Sequence, residues 1–211
     1  MKPYSLLFLC LFSALLTGCS TFSLTPPPPA QPCGTTSKAQ LEAINNWKIT
    51  GALAVTVRQP EQSETQNRRV TGVNASFNWL QEGKQYTLEL FGPFGINRVR
   101  LLGSPEKVTL FDGSGEAYTA ETPEVLLQQQ LGWSVPVTHL LYWIRGLPVP
   151  NAPVEHAQKL PNGTFSHFTQ QGWVVRYLDH MQVGCTSLPA KISVQHPTLH
   201  IRLVLKQWQI L

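Results

Sequence analysis

Ile49-Thr50-Gly51-Ala52-Leu53-Ala54-Val55-Thr56-Val57-Arg58 decides the fold. Ile49, Leu53, Val55 and Val57 fall on every second residue, with Gly51 among them, and the alternate positions are polar or small. A period of two predicts a half-buried strand rather than a helix. Working outward, the alternation returns at Val73, Ala75, Phe77 and Trp79. It returns again at Tyr86, Leu88 and Leu90, across the turn Gln81-Glu82-Gly83-Lys84. Residues 60–69 are polar and read as a loose hairpin loop. Gly92-Pro93-Phe94-Gly95 is a turn by composition. Strands are expected around 96–102, 107–111 and 116–120, with Asp112-Gly113 as a hairpin. Upstream, Ser37-x-x-Gln40 predicts a capping box opening a short helix, with Leu41, Ile44 and Trp47 at helical spacing.

After Ala120 the period changes. Thr122 is an N-cap followed by Pro123 at the first helical position, and Glu124 to Leu131 reads as a helix. Val137 to Arg145 reads as a second, stopped by Gly146 and Pro148. Apolar side chains cover most of that helix, which suits burial or an apolar surface beneath it. Strands resume near 165–169, 173–178, 190–194, 200–205 and 207–211. About eleven strands with a small helical insertion predict a mainly β fold with a small α lid. Strict alternation favours one antiparallel sheet with one apolar face, and so long a sheet tends to curl. The expected architecture is an unclosed antiparallel half-barrel with helices across its opening. Alternation does not decide whether its apolar interior is filled or hollow.

The chain has 211 residues, of which 42 % are hydrophobic and 13 % charged. The charged share is half the usual ~25 %, which argues against disorder and for one packed domain. Seventeen Pro and fifteen Gly argue against a helical bundle. A formal charge of +4, with no cluster beyond Arg68-Arg69, leaves no nucleic-acid footprint. No nucleophile elbow, P-loop, zinc-protease helix or dinucleotide glycine pattern occurs. The expectation is a protein that is not an enzyme and takes no cofactor. His196 and His200 are four residues apart, but Pro197 makes a helical metal pair doubtful, and no metal site is assigned. Glu82, Glu89, Glu121 and Glu124 are spread over turns, strands and a helix start, and nothing selects a catalytic pair among them. Asp179-His180 reads as a surface pair.

Lys2, the apolar run Leu6 to Leu16 and Thr17-Gly18-Cys19 describe a secretory signal over residues 1–18. Leu16-Thr17-Gly18-Cys19 resembles the lipobox of bacterial lipoproteins, which implies cleavage before Cys19 and lipid on its thiol. Two or more acyl chains hold a protein stably to a membrane. Under the sorting rule of such lipoproteins, Ser20 implies the outer membrane, facing the periplasm. Residues 19–36 hold Pro26 to Pro29 and Pro32, as an extended spacer or as disordered filler. The folded domain is expected over residues 37–211. Cys33 and Cys185 either pair in an oxidising periplasm or stay as two free thiols.

Several local patterns then coincide in order. They are Trp47-x-x-x-Gly51, Ala75-Ser76-Phe77-Asn78-Trp79, Gly92-Pro93-Phe94-Gly95, Gly132-Trp133-Ser134-Val135-Pro136 and Leu140-Leu141-Tyr142-Trp143-Ile144-Arg145-Gly146-Leu147. Gln171-Gly172-Trp173, Leu188-Pro189-Ala190-Lys191 and Trp208 complete the series. In this order, behind a lipobox, they resemble the LolB family of outer-membrane lipoproteins. The resemblance implies a half-barrel around a hydrophobic cavity. It also implies a receptor that accepts acylated lipoproteins from a LolA-type carrier and inserts them into outer-membrane phospholipid, without nucleotide. The expected state is a monomer with no nucleic-acid partner.

By the same resemblance, Phe94, bracketed by Pro93 and Gly95, stands where the family bears an exposed apolar residue implicated in membrane delivery. Candidate acyl-cavity walls are Phe77, Trp79, Tyr86, Leu88 and Leu90 on strands, Leu140 and Trp143 on the lid, and Trp173, Val175 and Tyr177 later. Ordinary core packing is an equal reading for each of them. Arg98 and Arg100 either meet lipid phosphates or an acidic carrier, or simply face solvent. The competing functions are a lipocalin-like module for a free hydrophobic ligand, a periplasmic hydrolase and a purely structural lipoprotein.

Overall fold

The computed structural model describes residues 33–58, 70–95, 98–132 and 134–211, with the side chains of Val70, Thr71 and Phe94 outside that description. The signal, Cys19, most of the proline-rich tether and the loop expected at 60–69 also lie outside the described residues. Residues Cys33–Leu211 form one compact unit.

The chain enters through α1 (Lys38–Glu42), whose capping box is present: Ser37 N–H donates to Gln40 Oε1 (2.7 Å) and Gln40 N–H to Ser37 Oγ (3.2 Å). This helix is a little over one turn, too short to persist without packing. Leu41 and Ile44 are buried, but Trp47 is already in a strand, where it sits opposite Gln81 and Ile210. Its helical spacing with Leu41 and Ile44 is therefore overridden by strand pairing.

Eleven antiparallel strands then make a single sheet. They are β1 (Asn46–Arg58), β2 (Val70–Glu82), β3 (Gln85–Phe91), β4 (Val99–Gly103), β5 (Val108–Phe111) and β6 (Ala117–Ala120), followed by β7 (Glu155–Lys159), β8 (Phe165–Gln170), β9 (Trp173–Val183), β10 (Thr186–His196) and β11 (Leu199–Ile210). The order across the sheet is β6-β5-β4-β3-β2-β1-β11-β10-β9-β8-β7, so β6 and β7 are free edges and the barrel is unclosed. The antiparallel order sorts the turns. One end, the mouth, carries the β3–β4, β5–β6, β8–β9 and β10–β11 connections, and the opposite end carries β2–β3, β4–β5 and β9–β10.

Two strand expectations change. The separate strands at 200–205 and 207–211 are one strand, β11, with a register shift opposite Thr50/Gly51. A bulge kinks a strand without ending it. Strand β7 was not expected, because four of its five residues are polar and all five are exposed, and so it carries no apolar alternation.

Between β6 and β7 lies the lid. In α2 (Pro123–Leu131), Thr122 Oγ1 accepts from Val125 N–H (3.3 Å), and Gly132, at φ 76°, ends the helix in the left-handed region. Helix α3 (Val137–Trp143) ends two residues before the expected Arg145 and turns through Ile144 and Arg145 to Gly146, at φ 83°. Leu126 and Leu127 of α2 and Val137, Leu140 and Trp143 of α3 are buried against the sheet. Glu124 ties the two helices by accepting from Thr138 N–H and Thr138 Oγ1, both at 2.8 Å.

Cys33 and Cys185 are joined as a disulfide, with Cα atoms 5.0 Å apart. Thr36 is buried beside it, donating its N–H to Asn162 O (2.9 Å) and accepting from Ser187 N–H (2.9 Å). The start of the described chain is therefore fastened at the end opposite the mouth.

Candidate functional site

Under the lid the sheet encloses a chamber of about 490 Å³, within the about 300–1,000 Å³ of ordinary ligand pockets. Its sheet wall includes Leu53, Phe77, Trp79, Leu88, Leu90 and Leu101. Its roof is Leu127 and Leu131 of α2, Val135, and Val137 and Leu140 of α3. Phe91, Gly92 and Pro93 form part of the rim. The lining is apolar throughout except for Asn74, Asp112, Tyr118 and Gln130, and Asp112 alone among these carries an ionisable carboxyl. The Ser114 hydroxyl, followed by the Glu116, Ser114 and Gly115 backbone, holds that carboxyl below its usual range. Asp112 thus stays an anion, its carboxylate held by Ser114 and Glu116 of its own hairpin.

A Cβ at Gly51 would meet the Val204 backbone oxygen first and then Phe77 Cζ at 2.7 Å, so glycine is what lets β11 and the Phe77 ring come this close to β1. Trp79 floors the chamber, and Trp47 and Tyr86 pack behind it, with ring centroids 5.6 Å apart for Trp47–Trp79 and 6.1 Å for Trp79–Tyr86. Beyond that floor, at the far end, is a second and larger groove of about 820 Å³, bordered by Lys38, Lys84, Glu121, Tyr142 and Pro148 among others. Its mixed polar border makes it a poor seat for hydrocarbon. Burial, then the nearby Glu124 charge, pushes the Tyr86 phenol well above its ordinary pKa, so it stays neutral.

The ten wall candidates divide. Phe77, Trp79, Leu88, Leu90 and Leu140 line the chamber. Tyr86 faces the second groove, with its ring over Gly103. Trp143, Trp173, Val175 and Tyr177 do not line the chamber and pack into solid core on the β8–β10 side. There Trp143 Nε1 donates to Gln170 Oε1 (3.2 Å), and Tyr177 donates to Trp143 O (2.9 Å). Gln170 is fully buried, and its amide also bonds both N–H and C=O of Val149. Its role was not foreseen, though the period of two in β8 puts it on the same inward face as Phe168.

At the rim, Pro93–Gly95 forms one 3₁₀ turn, in which Gly95 N–H donates to Gly92 O (3.1 Å) and Gly95 takes φ 76°. The expectation for the Phe94 side chain lies outside the described residues. Arg98 and Arg100 are both exposed, stacked over Phe91 (5.9 Å) and Phe111 (4.9 Å). His196 and His200 do not converge. His196 packs on Trp173 (centroids 4.8 Å), while His200 Nε2 bonds Ser193 Oγ (2.9 Å). Asp179 pairs with Lys191 (3.1 Å) through Oδ2 and accepts the His180 backbone N–H (3.0 Å) through Oδ1.

The chamber can bury hydrocarbon, and its lining holds no nucleophile–base pair. Comparison with known proteins fits this geometry. The profile of the family described as LolB, outer membrane lipoprotein LolB, matches residues 45–208. The outer-membrane lipoprotein LolB of Cellvibrio japonicus is 34 % identical over 96 % of this chain and 97 % of its own. That of Nitrosococcus oceani is 34 % identical over the whole of both chains. That of Pseudomonas savastanoi pv. phaseolicola is 36 % identical over 93 % of this chain and 91 % of its own. Among solved structures, a DUF1329 family protein from Desulfovibrio piger superposes with a TM-score of 0.51, at 5 % identity, over 82 % of this chain and 88 % of its own. That likeness shows the fold alone.

Proposed function

The chain belongs to the LolB family of outer-membrane lipoproteins, and from that premise we propose that it receives acylated lipoproteins from a LolA-type carrier and places them in the outer membrane. The observation that carries the reading is the lidded apolar chamber opening beside the Pro93–Gly95 turn. Each acyl methylene buried is worth about 0.8 kcal/mol, so a lipoprotein's chains do not cross water unshielded at a useful rate. A chamber walled by Phe77, Leu88, Leu90 and Leu140 lets them pass from one cavity to another. The step makes and breaks no covalent bond and uses no nucleotide. Its direction comes from relative affinity, since a preference of about 1.4 kcal/mol shifts the exchange tenfold.

In this reading residues 1–18 are removed and Cys19 carries the lipid that holds the chain on the periplasmic side of the outer membrane. Of the tether expected at 19–36, residues 19–32 lead to the compact unit that begins at Cys33, and that unit acts as a monomer. Phe94 meets the phospholipid that finally accepts the cargo. The rim position of Gly92 and Pro93 supports that role, because it puts this turn at the exit of the chamber.

The test mixes residues 20–211 with a carrier loaded with an acylated lipoprotein, then separates the two proteins. Cargo is expected on this chain without added nucleotide. Cargo left on the carrier by folded protein would contradict the proposal and favour a module for a free hydrophobic ligand. In the same assay Phe94→Glu should accept cargo normally and fail to deliver it to vesicles.

A further inference from the structure

Charge is unevenly spread over the outer side of the sheet. Strands β1, β9, β10 and β11 carry Lys48, Arg58, Arg176, Lys191, Arg202 and Lys206, all exposed, and one acid, Asp179. Asp179 is already spent on Lys191. Strands β2 to β6 carry Glu82, Glu89 and Arg100. The register sets the cations side by side: Arg176 is opposite Ser193, which is opposite Arg202 on its other flank. One step along, Lys191 lies between Asp179 and Val204.

Within this field stands Leu178, 62 % exposed, the most exposed large apolar side chain among the described residues. The pairing passes from Lys191↔Asp179 to Ile192↔Tyr177, so Leu178 is the unpaired residue of a bulge. Alternation from the buried Val175 and Tyr177 puts Leu178 on the outer face beside Arg176, and Val204, 40 % exposed, adds to the same apolar spot.

We propose that this outer face of β9–β10–β11 is a docking surface for an anionic phospholipid bilayer, with Leu178 entering the interface and Arg176 and Arg202 meeting lipid phosphates. It rests on the chain's being a membrane-anchored lipoprotein, but not on transfer of cargo. An exposed apolar residue on a face with more cations than acids suits an anionic interface, where hydrocarbon and charge are both satisfied. The cations are spread over neighbouring strands rather than gathered in a pocket, which suits a surface of many phosphates better than one acidic side chain. The β9–β10 turn also holds Cys185, bonded to Cys33, and Cys33 lies only fourteen residues after Cys19. The expected anchor is thus chained to the hairpin that bears Leu178.

The experiment sediments residues 20–211, which lack the acylated cysteine, with phosphatidylethanolamine–phosphatidylglycerol vesicles and with phosphatidylcholine vesicles. Binding is expected to the first alone and to fall as salt rises. The Arg176→Ser/Arg202→Ser pair should weaken it by roughly 30-fold, at about fivefold per cation. Leu178→Ser should weaken it while leaving the salt dependence intact. Equal binding to neutral vesicles, or unchanged binding by the arginine variants, would overturn the proposal. So would loss of vesicle-free cargo acceptance in those variants, because the face would then belong to the carrier. Unchanged vesicle binding by a chain that accepts no cargo would sink the transfer reading and leave this one standing.

Discussion

The two halves of this sheet obey the same alternation and pack differently. On the β2–β5 side the inward residues under the lid leave a chamber of about 490 Å³. On the β8–β10 side Phe168, Val175, Ile192 and Val194 are essentially inaccessible, and Trp143 reaches down from α3 to Gln170. The difference lies in what the lid delivers. Toward β8–β10, α3 puts down an indole with a buried hydrogen-bond partner. Toward β2–β5, α2 and α3 put down Leu127, Val137 and Leu140, which are too short to reach the floor. Function is thus assigned to the half that is left unfilled, while the filled half holds it open.

The sharpest way to break that comparison is Trp143→Ala. Removing a fully buried Trp that also satisfies Gln170 should cost about 3–5 kcal/mol of unfolding free energy in a denaturant titration. A loss under 1 kcal/mol would mean the β8–β10 side is not solid. Adding volume probes both halves at once. Val175→Phe enters a site with no free space and should cost about 1–3 kcal/mol. Leu90→Phe grows into the chamber and should cost under about 1 kcal/mol while reducing binding of a fluorescent fatty-acyl probe. Equal costs would erase the distinction between the halves.

The smallest expected effect is a pH dependence on the filled side. Burial holds the His180 imidazole below its ordinary value of 6.5, and burial, then Arg202 and Arg58, does the same for His200. The unfolded chain therefore binds protons that the folded chain refuses. Stability should fall as pH drops through about 6.5 toward the folded values, and level off above it. Replacing both with Gln should flatten that stretch of the profile. A profile that rises as pH falls from 7 to 5 would contradict the assignment.

The sheet was legible because period two leaves little choice: Ile49 to Val57 and Tyr86 to Leu90 had to put one face inward. The helical insertion was legible through Thr122, Pro123 and Gly146, whose backbone chemistry is local. Strand β7 was not, since an exposed polar edge strand is defined by its partner β8 rather than by its own residues. Trp47 misled because one turn of helix and the start of a strand share its spacing. The wall candidates could not be sorted, because Phe77 and Tyr177 carry the same signal in their own strands. Only the distance from each strand to the lid makes one a chamber wall and the other core. Leu178 was legible, since a strand that turns Val175 and Tyr177 inward turns Leu178 out, whereas the bulge beside it depends on pairing with β10 and leaves no mark on composition.

Transfer through this fold requires hydrocarbon to enter the β2–β5 half. The direct measurement loads the protein with a lipoprotein whose acyl chains carry a photoreactive diazirine, irradiates it, and maps the adducts by mass spectrometry. Adducts on Phe77, Leu88, Leu90, Leu101 and Leu140 are the predicted result. Adducts concentrated on Trp173, Val175 and Tyr177, or on the groove residues Tyr142 and Pro148, would contradict it.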